Sequence, residues 1–223
     1  MATPFPKIYP ILDASFLPTT GRSAYLHKLS CSLAEAGVTL LQYRNQTGTK
    51  NEILADLRVM RGACPSGPVK LILCDRVDLV ERASFDGVHL EDGDRTPAQA
   101  RELLGPVGII GTFGGGGDGM VPGILETAAD YFSIGIVYPT RTKQVSTPPI
   151  GIEGVRRLRA EAGPNAVLVA VGGITLETAA EVLEAGASVL AVAGAIFRQP
   201  DPAAEFHRWM TTLGFDVQGA VHF

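Results

Sequence analysis

Short apolar runs rich in β-formers alternate along the chain with helix-patterned stretches at a spacing of about 25 residues, as a succession of βα units requires. The runs fall near residues 7–12, 38–43, 69–74, 86–90, 107–112, 130–136, 166–171 and 188–193. Good helix formers with helical patterning occupy Arg22 to Ala36, Lys50 to Arg61, Pro97 to Leu104, Gly151 to Ala162, Leu176 to Ala185 and Pro202 to Leu213. Eight runs predict eight parallel strands closed into a (β/α)8 TIM barrel of the α/β class. The 223 residues fall within the roughly 200 to more than 400 that such barrels span. A doubly wound open sheet is the alternative reading of the same alternation. No linker rich in Pro, Ser and charge divides the sequence, so a single domain over residues 1–223 is expected.

Composition narrows the class of partner. With 46% hydrophobic and 19% charged residues, the chain has enough apolar material for one large core. The net charge is −4 and no run of Lys or Arg is present, which argues against nucleic acid and against an anionic membrane surface as partners. Pro4, Pro6 and Lys7 interrupt the first apolar residues, so neither a signal-peptide core nor a membrane span is expected, and a cytoplasmic location is the default. Cys31, Cys64 and Cys74 are odd in number and lack CxxC spacing, which disfavours a disulfide framework or a zinc site. Assembly into a homo-oligomer is left open.

The two kinds of junction differ in chemistry. Glu35-Ala36-Gly37 before the second run and Glu184-Ala185-Gly186 before the last echo one another, each a helix end closed by a glycine that tolerates left-handed backbone. These read as bottom loops serving stability. The strand-to-helix junctions hold nearly all the unusual residues, and in α/β barrels that face carries the active site.

Glycine turns Val171-Gly172-Gly173-Ile174-Thr175 and Val192-Ala193-Gly194-Ala195-Ile196 follow the seventh and eighth runs. Glycine lets backbone N–H groups approach an anion, so Gly173, Ala193 and Gly194 are candidate phosphate-binding residues. After the sixth run, Tyr138-Pro139-Thr140-Arg141-Thr142-Lys143 combines hydroxyl donors with fixed cations, on a connection long enough to act as a lid. Asp75 and Asp94 follow neighbouring strands and suit magnesium held by one or two carboxylates with phosphate and water. Each is also placed to cap a helix, although Thr96-Pro97-Ala98-Gln99 already supplies an N-cap, an N1 proline and a capping-box Gln after Asp94.

On the second run Gln42 and Arg44 share one face, the first able to hydrogen-bond a heterocycle and the second to fork onto phosphate. A structural pairing of Arg44 with Asp13 or Asp75 is the alternative. His89 reads as structural rather than as a catalytic base. The run Gly114 to Gly117 reads either as a mobile surface loop or as an anion nest, and it lacks the Lys-Ser/Thr ending of a P-loop.

From about Tyr9 to Ile196 these residues resemble the thiamine-phosphate synthase family, whose members are (β/α)8 enzymes. The likeness rests on Gln42-Tyr43-Arg44, Asp75-Arg76-Val77-Asp78-Leu79, Asp86-Gly87-Val88-His89-Leu90 with Asp94, Tyr138-Pro139-Thr140-Arg141-Thr142-Lys143 and Gly172-Gly173-Ile174-Thr175, in the family's order. The resemblance implies a transferase of thiamine biosynthesis. It would join 4-amino-5-hydroxymethyl-2-methylpyrimidine diphosphate to hydroxyethylthiazole phosphate with release of pyrophosphate. It further implies magnesium on Asp75 and Asp94, catalytic charge from Arg44 and Lys143, and substrate contacts from Gln42, Arg44, Cys74, Thr140, Thr142, Lys143, Gly173, Ala193 and Gly194.

Several positions depart from the family pattern. Gln46 stands where a Lys is usual, Cys74 where an Asn precedes the first metal aspartate, Glu91-Asp92 where Gly-Gln is usual, and Phe113 and Gly194 where Ser residues are expected. One lost cation and added acidic groups make the diphosphate side less positive. Backbone N–H groups of the glycine run are expected to replace the missing Ser, and Arg141 to replace part of the missing Lys. The alternatives are a thiazole tautomerase-like enzyme, disfavoured because Thr112-Phe113-Gly114 contains no His, and a non-catalytic barrel that binds a phosphorylated ligand.

Overall fold

The computed structural model describes residues 5–64, 67–91, 95–140, 142 and 147–215. The barrel strands are β1 (Ile8–Asp13), β2 (Leu40–Arg44), β3 (Lys70–Cys74), β4 (Gly87–Leu90), β5 (Ile109–Gly116), β7 (Tyr131–Gly135), β8 (Leu168–Val171) and β9 (Val189–Val192). A two-residue strand, β6 (Gly119–Met120), pairs antiparallel with the end of β5. The order β4-β3-β2-β1-β9-β8-β7-β5 is parallel throughout, and β4 pairs with β5 to close the ring. Closure excludes the open doubly wound sheet.

The helices are α1 (Arg22–Glu35), α2 (Lys50–Ala63), α3 (Val77–Val80), α4 (Pro97–Leu104), α5 (Gly151–Ala162), α6 (Leu176–Glu184), α7 (Gly194–Phe197) and α8 (Pro202–Thr212). Their starts follow local chemistry. Thr49 and Glu52 form a reciprocal capping box on α2, Thr96 and Gln99 form another on α4 behind Pro97, and Asp201 accepts from the first turn of α8. Between β5 and β7 no α-helix intervenes among the described residues. That crossover is the β5–β6 hairpin and a single tight turn over Ile124–Glu126.

Side-chain alternation divides the apolar residues into two cores. Tyr9 and Ile11, Leu40, Ile72, Ile109, Tyr131, Val169, Val189 and Ala191 point into the barrel and form one cluster. Their neighbours Ile8, Leu12, Leu41, Leu71, Leu73, Val88, Ile110, Phe132, Leu168, Ala170, Leu190 and Val192 point outward and pack beneath the helices. Both faces of the sheet are therefore dry, which is why the runs read as continuous rather than alternating hydrophobic stretches.

The bottom loops are stitched by arginines. Arg159, near the end of α5, donates to the carbonyls of Gly163, Ala166 and Gly186 at 2.6, 2.9 and 2.7 Å and to Ser188 Oγ at 2.8 Å. Arg101, near the end of α4, reaches Gly105, Gly108 and Ala128 carbonyls and Asp130 in the same manner. The Ala-Gly helix ends take the expected left-handed form, with φ of +91° at Gly37 and +113° at Gly186. No disulfide forms; all three cysteines are free, and burial raises the Cys64 thiol pKa to about 11.

The glycine run corrects an expectation. Gly114 to Gly116 continue strand β5 instead of forming a loop, because the chain approaches its neighbours too closely for a side chain. A Cβ on Gly114 would stand 2.6 Å from Phe132 Cβ, and one on Gly115 would stand 2.7 Å from the Gly119 carbonyl. Extended backbone does not offer the concave row of N–H groups that defines an anion nest.

Deeper in the barrel, a Cβ on Gly111 would lie 1.9 Å from Cζ of Tyr131, its cross-strand partner. Gly111→Ala must displace that buried ring, so urea unfolding should show a loss of about 1–3 kcal/mol, the usual cost of overpacking a core. An unchanged midpoint would mean that Tyr131 has room to move.

Candidate active site

The ends of β2, β3 and β4 form one arc of the ring and those of β7, β8 and β9 another, with β1 and β5 between them. A cleft of about 1080 Å³ opens across both arcs.

On the first arc, strand register places Asp13 of β1 directly beside Arg44 of β2. Alternation sends Gln42 and Arg44 into the cleft and turns Tyr43 outward, where its hydroxyl donates to Asp56 at 2.5 Å. Arg44 donates through Nη1 to Asp13 Oδ2 at 2.6 Å and through Nη2 to Gln46 Oε1 at 2.5 Å. Its Nε faces Glu91 Oε2 at 3.7 Å, and Gln46 Nε2 donates to the same oxygen at 3.3 Å. Burial pulls the Arg44 pKa down, but the Asp13 hydrogen bond and the charge of Glu91 outweigh it and hold the pKa above its ordinary value. The guanidinium is permanently charged and already shared between two carboxylates. Gln42 Oε1 accepts from Tyr9 Oη at 3.4 Å on the cleft floor.

Asp75 follows β3 in left-handed backbone, φ +55°, as does Arg76 at +52°. Non-glycine residues in that region are uncommon and gather at functional sites. The Asp75 N–H donates to the His89 carbonyl at 2.8 Å, and Asp75 Oδ1 accepts from the Glu91 N–H at 2.8 Å. That carboxylate is therefore not a helix cap, and α3 has no side-chain cap. Cys74, Asp75 and Glu91 each offer a ligand atom within 4.8 Å of the others. Two carboxylates fit a hard cation such as magnesium with water and phosphate completing the shell, whereas the sulfur is a soft donor that magnesium avoids. Cys74 is 3% exposed and lies under the cleft floor beside His89, its register partner. Asp94 and Asp92 lie outside the described residues.

On the second arc, glycines let three loops converge. The N–H groups of Val137 and Tyr138 donate to the carbonyls of Val171 and Gly172 at 2.9 Å each. Gly173 has φ +67°, and a Cβ there would stand 2.5 Å from the Pro139 carbonyl and 2.6 Å from that of Tyr138. Only glycine allows the two segments to lie together. A Cβ on Gly194 would stand 3.2 Å from Thr142 Oγ1, which brings the β7 and β9 loops into contact as well. Thr140, Thr142, Gly172, Gly173, Ala193, Gly194 and Ala195 all line the cleft. The first turn of α7 leaves the Gly194 and Ala195 N–H groups without intrahelical acceptors. Lys143 and Arg141 lie outside the described residues.

Between the arcs the wall is apolar. Phe113, on β5, is 42% exposed, and with Met120, Val121 and Pro122 of the hairpin it faces Ile11 of β1 across the opening. A hydroxyl donor is thus replaced by a ring-sized apolar surface. His89 is buried with its ring stacked on Tyr131, centroids 5.5 Å apart, in keeping with a structural role. Burial, before any other influence, raises the pKa values of Tyr9 and Tyr131, so both floor phenols stay neutral.

The sequence reading missed two cleft residues. Arg198 lines the second arc, its guanidinium over the Phe16 ring at 5.7 Å and its Nε 3.2 Å from the point where a Gly194 Cβ would stand. Its spacing of four from Gly194, one helical turn, is the signal that could have found it. Sequence pattern marks Glu91 only as an added negative charge, whereas it is a direct neighbour of Arg44.

A family model described as thiamine monophosphate synthase matches residues 8–196. A thiamine-phosphate synthase of Koribacter versatilis is 36% identical over 206 residues, covering 90% of this chain and 94% of its own. Another, from Agrobacterium fabrum, is 36% identical over 202 residues, 89% of each chain. The solved structure of a thiamine phosphate pyrophosphorylase from Pyrococcus furiosus superposes with a TM-score of 0.73 at 26% identity, covering 96% of this chain and 97% of that one. The match runs through the whole barrel from β1 to the glycine turn after β9, and the chain belongs to the thiamine monophosphate synthase family.

Proposed function

We propose that this chain joins 4-amino-5-hydroxymethyl-2-methylpyrimidine diphosphate to hydroxyethylthiazole phosphate, forming thiamine phosphate and pyrophosphate. The observation that carries the reading is one cleft that spans a cationic and acidic arc around Arg44, Glu91 and Asp75 and a glycine-lined arc around Gly173 and Gly194. Its volume of about 1080 Å³ accommodates two small phosphorylated molecules.

The diphosphate lies against Arg44, with Lys143 adding a second cation, and the monophosphate lies on the Gly173 and Gly194 turns with Thr140, Thr142 and Arg198. Phe113 and Ile11 flank the two heterocycles, and Gln42 hydrogen-bonds the pyrimidine. The bond between the pyrimidine's methylene carbon and the diphosphate oxygen breaks, and its electron pair leaves with pyrophosphate. The lone pair of the thiazole nitrogen then forms the new bond to that carbon. No protein nucleophile takes part. Arg44, fixed by Asp13 and Gln46, stabilises charge as it gathers on the leaving group, and the apolar wall keeps water from the carbon centre. Asp75 and Asp94 would hold magnesium, which would supply the remaining neutralisation of the leaving diphosphate. Cys74, buried beneath the floor, closes the pyrimidine end from below.

The same reading takes residues 1–223 as one domain, with small-molecule substrates and no nucleic acid or membrane partner, in the cytoplasm where such polyanions are retained. Among the described residues no helix is long and apolar enough to cross a membrane.

Purified protein supplied with both substrates and magnesium should form thiamine phosphate, and Asp75→Asn should lower kcat by about 100-fold, the scale of losing one fixed electrostatic element. Binding of the thiazole phosphate with no product at any enzyme concentration would leave the non-catalytic barrel as the better reading. Arg198→Ala should raise KM for the thiazole phosphate about tenfold with a smaller change in kcat, as loss of one charge-assisted hydrogen bond implies. An unchanged KM would remove Arg198 from the phosphate site.

A further inference from the structure

Two departures from the family pattern, Gln46 and Glu91, touch one another and both touch Arg44. Gln46 Oε1 accepts from Arg44 Nη2 at 2.5 Å while its Nε2 donates to Glu91 Oε2 at 3.3 Å, and that oxygen lies 3.7 Å from Arg44 Nε. Asp13 takes Nη1 at 2.6 Å. Every nitrogen of the guanidinium thus faces a protein acceptor, and two of those acceptors carry full negative charge.

Bare diphosphate approaching Arg44 must also approach Glu91, whose Oε2 lies 3.7 Å from Arg44 Nε. Like charges brought together in a partly enclosed site repel strongly, so the free polyanion is rejected. A diphosphate that carries a divalent cation meets a different surface, because Glu91 also stands within 4.8 Å of Asp75 as a potential ligand. The cation turns the repulsion into attraction. We propose that Glu91, braced by Gln46, is a specificity-determining residue that makes this cleft accept only the cation-complexed form of the diphosphate and reject free phosphate polyanions. The inference rests on the reading of the Arg44 arc as the diphosphate side.

Inorganic pyrophosphate is the probe, and titration calorimetry with magnesium or with EDTA is the readout, so no turnover is required. The wild-type chain should bind pyrophosphate at least about 100-fold more tightly with magnesium than with EDTA. Glu91→Gln keeps the side-chain shape and the backbone N–H on Asp75, and should tighten magnesium-free binding about tenfold while changing magnesium-bound affinity less, which narrows the ratio. Gln46→Lys leaves Glu91 in place but neutralises it, and should narrow the ratio in the same direction. Unchanged magnesium-free affinity in both variants, with circular dichroism intact, overturns the proposal, as does a wild-type chain that binds pyrophosphate equally well with EDTA. Selectivity as described but no thiamine phosphate formed would count against the proposed function alone.

Discussion

The closed parallel ring is the constraint on which everything else depends. A sheet without edges that is covered by helices outside and filled by side chains inside must assign every strand residue to one of two dry compartments. The same alternation that puts Tyr9, Ile72 and Tyr131 inside and Leu12, Leu71 and Phe132 outside carries up to the strand ends, where the inward positions become Gln42, Arg44, Cys74, His89 and Phe113. The active-site face is the top layer of the core, continued into solvent. Register then selects neighbours: Asp13 lies beside Arg44, and Cys74 beside His89, because their strands pair there.

Glycine plays a different part on the two arcs. On the second arc, Gly173 and Gly194 are empty positions into which the Pro139 carbonyl, Thr142 and Arg198 have moved, so absent side chains shape that end of the cleft. The serine missing at Gly194 and the arginine at Arg198 are parts of one arrangement, since a Cβ at 194 would press on the Arg198 side chain. On the first arc the departures alter charge, Gln46 by removing a cation and Glu91 by adding an anion, and they form a chain of contacts through Gln46 from Glu91 to Arg44. The loss of positive charge there is organised around a single guanidinium.

Most of the barrel was legible because hydrophobic runs and glycine turns are local signals. The eight runs fall within two residues of the observed strand starts, and Thr96-Pro97-Ala98-Gln99 forms the capping box its residues announce. The sequence pattern ends β5 at residue 112, since the glycines that follow carry neither β propensity nor apolar pattern. The extended form of Gly114 to Gly116 is imposed by the β6 hairpin and by Phe132, which lies beyond the local window. The four-residue α3 is too short to show a period. At the site, glycine turns and hydroxyl-rich segments are local signals, and Thr140, Thr142 and Gly173 do line the cleft. The contact of Glu91 with Arg44 spans 47 positions and appears only when β2 and β4 are brought to the same arc.

On the proposed function, one cleft holds two phosphorylated groups at once, on separate arcs. A crystal structure with thiamine phosphate, magnesium and pyrophosphate bound together tests it most directly. The monophosphate should lie on the backbone of Gly173 and Gly194 with the Thr142 hydroxyl, and the pyrophosphate beside Arg44 with its cation on Asp75. Both anions on the same arc, or pyrophosphate away from Arg44, would contradict it.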